Sequence, residues 1–235
     1  MLEIRNIPGT HDLVAEYASR NLPKGGRALD LGAWSGALAE RLQGAGFEVL
    51  AADIDDRAFR ARVQFLPLDL NQMDFYRRVP GEFDLVTAVE VIEHLENPTA
   101  FLRNVGLLLK PDGTAIVSTP NVQNVAARLR FLLGGTIRAI DDKAPEHITP
   151  VFYDLLVRQY LPRAGLRLVR YFVHPEGDFP LTARRYFVPI FRCVRRLMNG
   201  PALTGDCIIF VLKRDQPAPG DAPGGSRQSG RGGGV

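Results

Sequence analysis

The residues best equipped for chemistry are concentrated in the stretch "EVIEHLENP" (90–98). Glu90, Glu93 and His94 stand at i, i+3 and i+4, a spacing that puts all three on one face of a single helical turn. Two carboxylates and an imidazole make half of an octahedral site for a hard divalent ion such as Mg2+. A second histidine, His147 in "APEHITP", lies just before the next expected helix and can reach the same mouth. The expected metal set is therefore Glu90, Glu93, His94 and His147. Without a metal, His94 or His147 is the candidate general base, since an imidazole titrates at about 6.5. Glu90 joins them as a third catalytic candidate.

A second constellation surrounds "RALDLGAWSG" (27–36), where an apolar run reaches an acidic residue and breaks into small residues around a tryptophan. Loops of this kind usually cradle phosphate, but no Lys-Ser or Lys-Thr pair follows, so it is not a P-loop. The dinucleotide pattern G-x-G-x-x-G also fails, because its positions hold Gly32, Trp34 and Ala37. Asp30, Asp53, Asp69, Glu90 and Glu93 make the surroundings negative, which repels phosphate and attracts a cation. Both features disfavour a nicotinamide dehydrogenase. Asp53 follows Gly32 by 21 residues, the distance at which a carboxylate accepts from both ribose hydroxyls. The ligand then contains a ribose, carries positive charge and lacks a pyrophosphate. S-adenosylmethionine fits, with Asp69 placed to accept from the adenine N6–H. Both aspartates also have a plainer reading as helix caps: Asp55 and Asp56 follow the first, and "LDLNQ" surrounds the second.

These residues need a scaffold that delivers them to one edge. Runs rich in Val, Leu, Ile and Ala recur at 27–32, 47–53, 63–69, 83–90 and 113–120, without strict alternation, as expected of strands covered on both faces. Segments of helical spacing lie between them, for example Leu38, Leu42 and Ala45. Strands at 166–174 and 205–214 complete seven, the last returning antiparallel at an edge. Ahead of them, 149–165 reads as a helix capped by Thr149, with Pro150 at its first position. The expected fold class is α/β: a doubly wound, seven-stranded, mostly parallel Rossmann-like sheet with an antiparallel last strand. Ligands bind such sheets beyond the C-terminal strand ends, where strand order reverses. There His11 reads as a surface or capping residue, and Asn121 as a turn residue with a substrate contact open to it.

The chain resembles the class I S-adenosylmethionine-dependent methyltransferases, of the bacterial small-molecule type, over about residues 10–214. "LDLGAWSG" is similar to the family's first motif, "VLAADID" to its acidic second strand end, "FDLVTAVEVIEHLENP" to its fourth-strand signature and "LLLKPDGTAIVSTPN" to its fifth strand. The resemblance implies cofactor contacts from Asp30, Gly32, Ala33, Trp34, Gly36, Asp53, Ile54, Asp69, Leu70 and Glu90. It also implies one departure, since the family usually has glycine where Trp34 stands; the indole then either packs or covers the cofactor. Ubiquinone-biosynthesis O-methyltransferases carry an E-x-x-E-H cluster for a divalent metal, as do small-RNA 2′-O-methyltransferases, which add a later histidine like His147. The implied reaction is O-methylation of a small molecule: a sugar, a quinol-like compound or a lipid-linked acceptor. RNA 2′-O-methylation, and a turnover-free domain binding a partner or lipid surface, are the alternatives.

The 235 residues suit one domain over 1–214, and 215–235, nearly all Pro, Gly, Ser and charge, reads as a disordered tail. No run approaches a membrane span and no basic, then apolar, start is present, so a cytoplasmic location is expected. Cys193 and Cys207 imply no disulfide or zinc cluster. The formal charge of +3 divides unevenly, because residues 182–214 hold seven basic residues against Asp206. A nucleic-acid partner is disfavoured, since such proteins are more often basic over the whole body. Within the insertion 182–204, five arginines collect on one side of a helix over 182–200 and Phe187, Ile190, Phe191, Val194, Leu197 and Met198 on the other. The plain expectation is a lid packing its apolar face on the domain; the sharper one is peripheral contact with anionic lipid. Pro189 kinks this helix or starts a shorter one. Oligomeric state is left open.

Overall fold

The computed structural model describes residues 2–3, 7–142, 144–176 and 188–215. In chain order, α1 (Thr10–Asn21), β1 (Arg27–Leu31), α2 (Ala37–Gly44), β2 (Glu48–Asp53) and β3 (Gln64–Pro67) build one half. The other half holds β4 (Phe83–Val89), a 3-10 turn (Ile92–His94), α3 (Pro98–Leu108), β5 (Leu109–Pro120) and α4 (Val125–Gly134). After these come α5 (Tyr153–Leu155), a π-helical turn (Leu156–Tyr160), α6 (Leu161–Arg163), β6 (Leu166–His174), α7 (Val188–Leu197) and β7 (Cys207–Arg214). The seven strands run β3-β2-β1-β4-β5-β7-β6, with β7 antiparallel to both neighbours. β7 thus lies inside the sheet rather than at its edge.

Two cores explain the near-continuous apolar strands. Ala28 packs with Val14, Leu38 and Leu42 of α1 and α2 on one face, while Leu29 and Leu31 pack with Phe101, Leu102 and Val105 of α3 on the other. Successive residues point to opposite faces, so each strand needs apolar side chains at every step. Strand order reverses between β1 and β4, and this opens the crevice at their C-terminal ends.

Two expected helices differ from their patterns. Thr149 does not cap a helix: its Oγ1 donates to the Leu95 carbonyl (2.6 Å), and the helical run starts later, at Tyr153. Of the basic helix expected over 182–200, α7 is described as Val188–Leu197, ending three residues early, and 182–187, with Arg184, Arg185 and Phe187, lie outside the described residues. The apolar face of α7 packs only in part: Val188, Phe191 and Val194 are half-buried and the helix contacts α4, while Ile190 and Leu197 stay exposed. The tail read as disordered likewise falls outside the described residues from 216 onward.

Candidate active site

A cavity of about 660 Å3 opens at the C-terminal ends of β1, β2 and β4. All the cofactor candidates except Gly36 line it, as do His94 and His147. Glu93, fully buried, stands just behind.

The loop after β1 is held to β2 by its backbone. Gly32 N–H and Ala33 N–H both donate to the Ala52 carbonyl (2.8 and 3.1 Å), and Trp34 N–H donates to Asp53 Oδ2 (2.8 Å). Gly32 is left-handed (φ 71°), and a Cβ there would stand 2.4 Å from Val91 Cγ2, so no side chain fits. Gly36 (φ 83°) is tighter still: a Cβ would meet that of Ala61 at 2.3 Å. Its role is to let α2 start, which is why it shapes the cavity without lining it. Trp34 is also left-handed (φ 47°), a conformation costing a non-glycine residue about 1 kcal/mol. The preference for glycine implied by the resemblance is thus a backbone requirement that this chain meets with a strained tryptophan. The half-buried indole forms part of the cavity wall.

The strand-end carboxylates are held by local bonds. Asp53 Oδ1 accepts from Ile54 N–H (2.7 Å), and Asp69 Oδ1 accepts from Asn71 N–H (2.9 Å). No helix begins beside either, so neither is a cap in the expected sense. Each oxygen retains a lone pair for a ligand donor. Asp30 is fully buried: Thr87 Oγ1 donates to its Oδ1 (2.8 Å) while Oδ2 has no partner. Burial raises its pKa to about 7, against the lowering effect of the Thr87 bond. His11, expected at the surface, sits in α1 against the cavity; burial and the nearby Arg41 charge lower its pKa to about 4.

Across the cavity, the structure separates the E-x-x-E-H residues. Glu90 ends β4 with a left-handed backbone (φ 55°), and only Ile92–His94 form a turn, so the shared helical face does not exist. Burial raises the Glu90 pKa to about 7, opposed by bonds from Ile7 N–H and the Cys207 thiol, and its Oε1 is unpartnered. Glu93, His94 and His147 instead bring ligand-capable atoms within 4.8 Å of one another, and Glu90 is not in this group. Sequence reasoning missed what assembles them. Ile148 N–H and Thr149 N–H both donate to the Glu93 carbonyl (2.9 Å each), docking the 144–149 loop on the turn. The two imidazoles then meet edge to face at 4.7 Å. His94 Nδ1 lies 3.0 Å from the Glu146 carbonyl and His147 Nδ1 lies 2.7 Å from that of Ala139. A carbonyl only accepts, so each Nδ1 carries the proton and each Nε2 keeps its lone pair, the arrangement typical of metal-ligating histidines. Both Glu93 carboxylate oxygens are buried without a partner, and burial holds that carboxyl well above its usual range. An orphaned buried carboxylate beside two free imidazole nitrogens fits a divalent ion. No local pattern could have announced the Glu146 and Ala139 carbonyls. Asn121 is buried and holds the fold together: its Nδ2 hydrogens are shared among the Ala202, Thr204 and Gly205 carbonyls, and its Oδ1 accepts from Gln123 N–H.

An acidic crevice at the β1/β4 reversal, with an antiparallel β7 beside β5, defines the class I methyltransferase architecture. A family described as "Methyltransferase domain" matches residues 5–171, and the chain belongs to it, as a class I S-adenosylmethionine-dependent methyltransferase. Among curated relatives, a ubiquinone biosynthesis O-methyltransferase of Xanthomonas euvesicatoria is 32% identical over 162 residues, covering 65% of this chain and 68% of that one. One from Thiobacillus denitrificans is 31% identical over 118 residues, 47% of this chain and 50% of that one. Among solved structures, a SAM-dependent methyltransferase from Archaeoglobus fulgidus superposes with a TM-score of 0.61 at 17% identity, covering 87% of this chain and 95% of that one. The 1,6-didemethyltoxoflavin-N1-methyltransferase of Burkholderia thailandensis gives 0.56 at 15%, covering 88% and 78%. At these identities the structural likeness concerns the fold.

Proposed function

We propose that this methyltransferase O-methylates a hydroxyl of a small molecule, and that Glu93, His94 and His147 hold a divalent ion beside the acceptor. The observation that carries this reading is the pair of buried, unpartnered Glu93 oxygens next to two imidazoles whose Nδ1 protons are already engaged. The relatives named for ubiquinone biosynthesis favour an oxygen acceptor on a quinol-like ring. A bound divalent ion supplies Lewis acidity that lowers the pKa of the acceptor hydroxyl.

The chain's own residues supply the rest. Asp53 accepts from the ribose hydroxyls and Asp69 from the adenine amine, with Ile54 and Leu70 flanking the base. Asp30, Glu90 and the Gly32–Gly36 loop surround the methionine end, where two carboxylates titrating at about 7 match a cationic ligand. Rate comes mainly from holding the acceptor oxygen in line with an already activated methyl group.

The test follows Mn2+ by electron paramagnetic resonance alongside methyl transfer to a panel of hydroxylated aromatics. The native protein binds Mn2+ and loses transfer in EDTA. Glu93→Gln loses Mn2+ affinity and about 100-fold or more in kcat while still binding S-adenosylhomocysteine. Absence of Mn2+ binding in native protein saturated with S-adenosylhomocysteine rejects the metal. Transfer to nitrogen or carbon acceptors alone rejects O-methylation.

A further inference from the structure

α4 and α7 pack on each other, yet much of what they expose is apolar. At the C-terminal end of α4, Phe131 is 57% exposed, Leu132 76% and Leu133 85%, while on α7 Ile190 is 51% exposed and Leu197 82%. Consecutive residues turn about 100° around a helix, so the three on α4 spread over about 200° of its surface. One packed neighbour covers a stripe roughly half as wide, and these three cannot all be covered by a single groove. A fluid apolar phase covers them together.

The same surface is basic. α7 carries Arg192, Arg195 and Arg196 and no acidic residue, and Arg195 and Arg196 close its last turn and are exposed. On α7 the basic arc is the reverse of the arc holding Ile190, Val194 and Leu197. A second copy of the chain would set arginines against arginines, which disfavours a symmetric dimer here. RNA would satisfy the arginines and leave the exposed leucines in water.

We propose that the α4 end and α7 form a docking surface for an anionic lipid bilayer, with Leu132, Leu133 and Leu197 entering the acyl boundary and Arg195 and Arg196 meeting lipid phosphates. Apolar insertion and headgroup attraction act together in such interfacial helices. α4 follows β5, and the chain leaving α4 reaches the cavity wall at Glu146 and His147.

The full-length protein is sedimented with vesicles of phosphatidylcholine alone and of phosphatidylcholine mixed with phosphatidylglycerol. Native protein binds the mixed vesicles, and binding weakens as salt rises. Leu132→Gln with Leu133→Gln lowers affinity about tenfold or more at all salt concentrations. Arg195→Gln with Arg196→Gln lowers it about 25-fold, roughly fivefold per arginine, and flattens the salt dependence. Both pairs lie at exposed positions, and an unchanged thermal shift with S-adenosylhomocysteine verifies that each folds. Vesicle binding unaffected by either pair overturns the proposal. So does a dimer in light scattering that the leucine changes dissolve, or affinity for an RNA oligonucleotide that the arginine changes abolish while vesicles are ignored.

Discussion

The two walls of the cavity are built in opposite ways. On the β1–β3 side, Asp53 and Asp69 are engaged by backbone amides one, two or nineteen residues away in sequence, so their oxygens are aimed before any ligand arrives. On the β4 side, Glu93 has both oxygens buried without partners, His94 is held by the Glu146 carbonyl 52 residues downstream, and His147 by that of Ala139, eight residues before it. A satisfied carboxylate is a fixed acceptor with low reorganisation cost, suited to a ligand shared by every turnover. An unsatisfied buried carboxylate costs free energy in the empty protein, which a cation offsets. The contrast points to a cofactor wall that is preformed and an acceptor wall completed by its ligands.

The strongest way to break that contrast is Asp53→Ala. It removes the proposed ribose acceptor and strands Trp34 N–H, so S-adenosylhomocysteine affinity falls about 100-fold in calorimetry, the effect of losing two charge-assisted hydrogen bonds. His94→Gln, on the other wall, changes that affinity by less than about twofold while lowering turnover. Equal losses from the two variants would mean that the walls are one unit.

Asp30 offers a subtler cut, because it belongs to the cofactor wall yet has one orphan oxygen. Its pKa is raised to about 7, so between the ordinary carboxylate range and about 7 the folded state holds a proton that the unfolded state lacks. Stability from this group is therefore lost as pH rises through that window. His11, lowered to about 4, acts oppositely, adding stability as pH rises toward its ordinary value. Comparison with Asp30→Asn cancels the His11 contribution. In ligand-free chemical denaturation the variant gains on the native protein by about 2 kcal/mol between about pH 5 and about pH 8. A gap independent of pH would show that Asp30 is charged throughout.

The preformed wall was legible in the sequence because its causes are local. Strand-end aspartates, a glycine-broken loop and a 21-residue spacing are all read within one βαβ unit. The acceptor wall was legible only as a list of residue types. Its expected geometry failed at Glu90, where a left-handed backbone ends the strand and removes the helical turn that would have aligned the three side chains. It failed again at Thr149, whose hydroxyl closes a contact 54 residues away instead of capping a helix. The exposed end of α4 carried no warning either, since "RFLLGG" has the same apolar pattern whether a neighbour covers it or not.

The smallest effect expected comes from Asp69, which links the walls. Its Oδ1 takes Asn71 N–H, and Asn71 Oδ1 in turn takes Glu96 N–H (3.0 Å), two residues beyond His94. Asp69→Ala removes the proposed acceptor for the adenine amine and loosens this chain of bonds, so S-adenosylhomocysteine binds about fivefold more weakly, the size of one ordinary hydrogen bond. Asp69→Asn keeps an oxygen for the Asn71 turn and leaves affinity within about twofold. If the asparagine variant loses as much as the alanine one, charge rather than positioning is what Asp69 contributes. If neither loses affinity, the adenine is held elsewhere and the preformed wall ends at Asp53.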